Sequence, residues 1–197
     1  MTTPGAAAPR GLAWLYVVGG AVGLAASAAL IVEKLAKLAN PGYVPTCSIN
    51  PIISCGSVMD SAQAAAFGFP NPLIGVAAFP VVVTAGAVVL GGFEPPRWFW
   101  LGMQVGTTLA VIFIHWLVVQ SLYEIHALCP YCMVVWVVTI PLFWYTTLHN
   151  LTAGNFGGGQ SVGAALARFH SLVLVVWYLV IVVLILQAFW DYWSTLL

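Results

Sequence analysis

Five long apolar stretches without a single Asp, Glu, Lys or Arg constrain this chain more than any other feature. They run about Gly11–Val32, Leu73–Gly92, Trp98–Leu122, Leu128–Leu148 and Ser171–Trp190. A helix needs about 20 apolar residues to cross a ~30 Å hydrocarbon core, and each stretch is long enough. Inside a bilayer the backbone has no water to bond to, so such stretches must form helices. Only 5% of the 197 residues are charged, against roughly 25% in a soluble domain. The expected fold is therefore an all-α membrane protein with five transmembrane helices, forming one integral membrane domain over residues 1–197. Pro80 and Pro141 inside two spans predict kinks, because neighbouring helices can re-satisfy the freed carbonyls. The "ASA" at Ala26–Ala28 resembles a signal-peptide cleavage site. The apolar run around it is longer than such a peptide needs, and "VEKLAKLA" continues the helical pattern. The formal net charge is zero, which implies no polyanion partner, and no nucleic acid is expected.

The connections differ in character. Glu94–Arg97 is a tight turn around Pro95 and Pro96. His149–His170, with "GNFGGG", reads as a flexible and functionally quiet loop. Glu33–Pro72 is long, holds Cys47 and Cys55, and contains the alanine-rich "SVMDSAQAAAF". That segment, Ser57–Phe67, predicts one short surface helix with Ser and Asp near its N-cap. Long loops of this kind usually carry function. With an odd number of crossings between them, all four cysteines share one side of the membrane. Arg10, Arg97 and Arg168 share the other, against Lys34 and Lys37 on the cysteine side. The arginine side is the expected cytoplasmic one. An extracytoplasmic cysteine side also agrees with disulfide chemistry, since the cytosol keeps thiols reduced.

The four cysteines fall into two pairs, "CSINPIISC" (Cys47 and Cys55) and "CPYC" (Cys129 and Cys132). Cys129 falls at the N-cap of the fourth spanning helix, with Pro130 at N1, where its missing N–H is harmless. Cys132 then falls in the first turn, where free N–H groups and the helix dipole favour a thiolate. A thiolate at that depth can meet a redox carrier dissolved in the bilayer, such as a quinone. "CPYC" also occurs in soluble glutaredoxins, but there an amphipathic helix follows, whereas "MVVWVVTIPLFWY" is apolar all round. Asn50-Pro51 predicts a turn that brings Cys47 and Cys55 within disulfide range. Two exchanging pairs are one reading of this pattern. Two structural disulfides or a four-thiolate zinc site are the alternatives, although the seven-residue spacing departs from the usual zinc pattern. His115 is the one histidine inside a span, which is too few for a bis-histidine haem site. Glu124 and His126 flank the thiols and are candidates for relaying quinone protons.

Cys-x7-Cys followed by Cys-x5-Ser, an Asn before the second crossing, and Cys-x-x-Cys opening the fourth helix resemble the vitamin K epoxide reductase family over roughly Gly11–Leu148. The resemblance implies helices one to four bundled around a quinone, with a peripheral fifth helix. It implies a quinone-dependent thiol oxidoreductase similar in role to DsbB, which reoxidises a thioredoxin-fold, DsbA-like disulfide donor and so supports disulfide formation. Carried over, Cys47 forms the mixed disulfide with the partner and Cys55 attacks the Cys129–Cys132 disulfide at Cys129. Cys132 meets the quinone, menaquinone or ubiquinone, while Ser61 and Asn71 hydrogen-bond its carbonyls. Trp136, also assigned to the quinone site, stands where the vertebrate enzymes carry tyrosine, so their epoxide chemistry and drug sensitivity do not transfer. No metal or haem is implied. The thioredoxin-like domain fused to some bacterial members is not found before Leu197, so a separate partner polypeptide is expected in a plasma-membrane setting. Reduction of a quinone epoxide by protein thiols is the rival within the class, and a small transporter with structural cysteines is the rival outside it.

Overall fold

A computed structural model describes residues 9–195. The expected single domain of residues 1–197 extends at its ends over 1–8 and 196–197, outside the described residues. The elements are α1 (Arg10–Ala39), α2 (Cys55–Met59), a 3₁₀ turn (Ala62–Ala65), α3 (Pro72–Leu90), α4 (Arg97–Gln120) prolonged by a π turn (Ser121–Ile125), α5 (Pro130–Thr152), α6 (Gln160–Arg168), α7 (His170–Ala188) and α8 (Trp190–Ser194). Helices α1, α3, α4 with its π turn, α5 and α7 are long and apolar enough to span a membrane. Among the described residues there is no strand, only an isolated parallel bridge between Ile53 and Leu128.

The closest packing is α1 against α3, followed by α1 and α4 against α5. Glycines allow the first of these. A Cβ at Gly86 of α3 would lie 2.6 Å from the Ala13 carbonyl oxygen, and one at Gly23 of α1 would lie 2.4 Å from the Phe79 ring. With lipid as apolar as the side chains, helix association depends on such close backbone approach and on interhelical hydrogen bonds. By contrast α3 and α4, though consecutive in the chain, barely touch. The space between them is the cavity described below.

α1 continues past the expected end of its apolar run because its charged residues find partners there. Glu33 accepts hydrogen bonds from Tyr43 Oη (3.0 Å), from Thr46 N (3.3 Å) and from the Thr46 hydroxyl. Lys34 Nζ donates to Met59 O at 2.8 Å, and Lys37 pairs with Asp60. The end of α1 thus grips the redox loop ahead of Cys47 and again beyond Cys55.

At the opposite end, Arg97 Nε donates to Asn155 O (2.7 Å), and Asn155 Nδ2 donates to Asn150 Oδ1 (2.8 Å). Asn150 Nδ2 in turn donates to Trp100 O and to Gln104 Oε1, both at 3.1 Å. This connected network ties α4 to α5 and leaves few polar groups unpaired in the bundle.

α7 lies outside the bundle and exposes Leu172, Val175, Val176, Leu179 and Val183. It is fastened by polar contacts. Trp177 Nε1 donates to His115 Nε2 at 2.8 Å, and Tyr178 Oη donates to Val137 O at 2.7 Å. With Nε2 accepting, the His115 proton sits on Nδ1, 2.7 Å from Val111 O, and the ring is neutral. The intramembrane histidine is therefore a helix fastener.

Two expectations are corrected. Ser57–Phe67 is not one helix with its cap at Ser57. Ser54 caps α2, accepting from Ser57 N at 3.2 Å, and a separate 3₁₀ turn follows Asp60. Nor is 149–170 a plain loop. α5 runs on to Thr152 and α6 occupies Gln160–Arg168, packing Gly163 against Leu151. The glycines there, Gly154, Gly157 and Gly159, adopt positive φ and make the turn between two helices.

Gly86→Ala places a methyl against the α1 backbone, so it is expected to destabilise the bundle by about 1–3 kcal/mol. Thermal unfolding in detergent, with Gly102→Ala as the unhindered control, checks this; an added Cβ at Gly102 has nothing within 4 Å.

Candidate active site

Both cysteine pairs are placed by backbone geometry. The π turn ends at His126, whose left-handed conformation (φ 54°) turns the chain away from the axis of α4. Ala127–Cys129 then runs extended until Pro130 opens α5. On the other strand of the site, Asn50 Oδ1 accepts from Ile52 N (3.0 Å) and Ile53 N (2.7 Å), closing the turn before Cys55. Leu128 N donates to Ile52 O at 2.7 Å, and Ser54 N donates to Leu128 O at 2.9 Å. These bonds fix the residue before Cys55 beside the residue before Cys129.

Cys47 and Cys55 form a disulfide. Cys129 and Cys132 are free thiols. Cys55 Sγ lies 3.2 Å from Cys129 Sγ, so the sulfurs of the two pairs are in contact. Two separate structural disulfides would not need that contact, and with two of the sulfurs bonded to each other a four-thiolate zinc site is not formed. Around them pack Leu30, Met59, Val58 and Tyr131. Three of the four cysteines are sealed from water, Cys55 at 0% exposed, Cys129 at 1% and Cys47 at 6%, and Cys132 is half-buried.

At the head of α5 the electrostatics differ from expectation. The thiolate-favouring groups converge on Cys129, the N-cap residue, more than on the first-turn Cys132. The Cys132 thiol donates to the Cys129 sulfur and holds its pKa below the ordinary thiol value. Burial opposes this, while the N–H groups of Cys132 and Tyr131 assist. Those N–H groups do not reach full capping geometry, yet they lie close enough for their dipoles to act.

Beneath the sulfurs a cavity of about 550 Å³ extends between α1, α3, α4 and α5. Cys129, Cys132, Trp136 and Thr139 line it from α5, Phe79 from α3, and Gly102, Gly106 and Ala110 from α4. An added Cβ at Gly102 or Gly106 would meet nothing within 4 Å, so these glycines leave one wall open. The walls are apolar, the size suits a small organic ligand, and a thiol pair sits at one end. A quinone ring fits this chemistry, because it is flat, apolar and reducible by two thiols. Among the described residues no cluster of three His, Cys, Asp or Glu could hold a metal ion.

The residues expected at the quinone site are distributed unevenly. Trp136 lines the cavity and is buried. Asn71 also lines the cavity, but its amide holds the loop: Nδ2 donates to Gln63 O (2.7 Å) and Oδ1 accepts from Ala66 N (3.0 Å). Ser61 is not among the lining residues, and its hydroxyl donates to Val58 O at 2.7 Å. Glu124 and His126 are exposed and do not line the cavity, although Ile125 between them does. They point outward because the π turn rotates that face of the chain away from the bundle. Sequence reasoning missed Glu33 and its hold on the Cys47 segment. A carboxylate immediately after an apolar run was the available signal.

A multi-pass helical bundle with two touching cysteine pairs above an apolar cavity defines a membrane-embedded thiol redox protein. The model of the vitamin K epoxide reductase family matches residues 14–147, and the chain belongs to that family. Members of the family are oxidoreductases that use quinone-type substrates, which sets aside a transporter with structural cysteines. No curated protein matches the chain.

The Cys129 shift gives a direct test. In Cys47→Ala/Cys55→Ala protein, the ultraviolet thiolate absorbance of Cys129 should titrate below the ordinary thiol range. Adding Cys132→Ala removes the largest cause and should move the midpoint upward. A second test uses Cys47→Ala/Cys132→Ser, which should form a Cys55–Cys129 disulfide on mild oxidation, visible by mass spectrometry of a tryptic digest.

Proposed function

We propose that this protein reoxidises a thioredoxin-fold, DsbA-like disulfide donor and passes its electrons to membrane quinone, menaquinone or ubiquinone. The observation that carries this reading is the 3.2 Å contact between Cys55 and Cys129, at the mouth of the cavity that Cys129 and Cys132 line. The partner's thiolate attacks Cys47 Sγ, breaking the Cys47–Cys55 bond and releasing Cys55 as thiolate. Cys55 attacks Cys129 Sγ of an oxidised Cys129–Cys132 pair and displaces the Cys132 thiolate. The partner's second thiol resolves its own bond to Cys47, leaving as a disulfide. Cys47 then attacks Cys55 and frees Cys129. The resulting state has a closed loop disulfide and reduced Cys129 and Cys132, matching the covalent state described above. Two electrons and two protons then pass from those thiols to quinone, giving quinol and restoring the Cys129–Cys132 disulfide.

Access follows from burial. Cys47 is sealed while its flanking residues Val44 and Ile49 are 70% and 72% exposed, an apolar rim beside the sulfur. A partner docking on that rim reaches Cys47 once the segment held by Glu33 lifts. Quinone reaches the other pair sideways from the lipid, through the loose contact of α3 with α4. The cysteine end is extracytoplasmic in this reading. Arg10, Arg97 and Arg168 cluster at the opposite end, while Lys37 is neutralised locally by Asp60.

Serine replacements separate the two half-reactions. Cys132→Ser should abolish quinone reduction by the enzyme, and Cys47→Ser should abolish oxidation of the partner. In Cys55→Ala protein a mixed disulfide on Cys47 should accumulate, with a thioredoxin-fold protein attached. Retention of both activities in the two serine variants would sink the relay.

A further inference from the structure

Ser61 donates its hydroxyl to Val58 O and Asn71 Nδ2 spends one of its two N–H groups on Gln63 O, so the donors left to the cavity on these residues are few and neutral. The lining residues include one charged side chain, Lys34. It lies on the face of α1 that also presents Ser27 and Leu30 to the cavity, residues spaced to share one helical stripe. Leu30, one turn away, packs in the same cluster as Cys47, Cys55 and Cys129, so Lys34 belongs to the sulfur end of the cavity.

Its bonding is incomplete. The ammonium has three N–H donors, and the structure uses one, to Met59 O at 2.8 Å. Among the described residues no carboxylate pairs with it. The nearest candidates are occupied elsewhere, Glu33 by Tyr43 and Thr46, and Asp60 by Lys37. An unpaired cation beside apolar walls is a poor device for stability alone. It is a good one for a reaction that creates negative charge there.

We propose that Lys34 is a catalytic residue of the quinone half-reaction, its free N–H groups bonding the quinone oxygen that gains charge as the thiols are oxidised. The inference rests on the proposed quinone reading. The balance is that of the step itself. Cys129 and Cys132 lose two electrons and two protons as their S–S bond forms, and the quinone becomes quinol. Electrons arrive ahead of at least one of the two thiol protons, so an oxygen is transiently anionic, and Lys34 offsets that charge until the thiol protons reach it. In a low-dielectric site a preplaced cation acts strongly on the transition state.

The test is single-turnover oxidation of prereduced full-length protein in nanodiscs, with a short-chain benzoquinone and a short-chain naphthoquinone as probes. K34Q can still donate to the Met59 carbonyl but carries no charge. K34R keeps the charge. K34Q should slow quinone reduction roughly 10- to 100-fold, with K34R at least several-fold faster than K34Q. Binding of either quinone, read by quenching of tryptophan fluorescence, should weaken far less than the rate. If K34Q reduces quinone as fast as the unaltered protein, Lys34 merely holds α2 and the inference falls. Equal slowing in K34Q and K34R overturns it too, since charge is then not the agent. Failure of the unaltered protein to reduce either quinone would overturn the proposed function along with it.

Discussion

Two backbone hydrogen bonds, Leu128 N to Ile52 O and Ser54 N to Leu128 O, join the two segments of this chain that carry its cysteines. Side chains of long reach cannot hold two sulfurs in contact with the required economy of motion, but adjacent backbones can. The bridge pairs Ile53 with Leu128, two residues before Cys55 and one before Cys129, and the sulfurs of these cysteines meet at 3.2 Å. The rest of the site is arranged about this bridge. α1 holds the flanks of the redox loop through Glu33, Lys34 and Lys37. α5 supplies the Cys132 thiol and the Cys132 and Tyr131 N–H groups that favour a thiolate at Cys129.

The bundle below the bridge shows how a membrane protein can be tight and open at once. Glycines bring α1 and α3 into backbone contact, and polar networks pin α4 to α5 and α7 to both. Nothing comparable pins α3 to α4. Since apolar burial drives little association within lipid, a missing seam of small residues or hydrogen bonds is enough to leave a gap. That gap opens into the cavity.

Sequence and structure part company where residues have two plausible tasks. Ser61 and Asn71 match a family pattern, yet their side chains are engaged with the loop backbone, Ser61 with Val58 O and Asn71 with Gln63 O and Ala66 N. Glu124 and His126 are near the thiols in sequence, but a π turn and a left-handed residue rotate them outward. His115 looked chemical because an ionisable group in a span usually is. Its partner, Trp177, lies 62 residues away and made it a fastener. In each case the deciding contact is set by register or by a distant element, which local patterns do not encode.

By itself the sequence determined that the chain spans a membrane five times, because uncharged runs of that length have no other stable solution. It also put all the cysteines at one end, through the parity of the crossings, and tied them to a redox family through their joint spacing. Only the tertiary structure decided which sulfurs touch, which thiol the hydrogen bonds at the head of α5 favour as thiolate, and which side chains face the cavity. Those depend on distances of a few tenths of an ångström between segments far apart in the chain. Spacing along one strand cannot fix the separation between two.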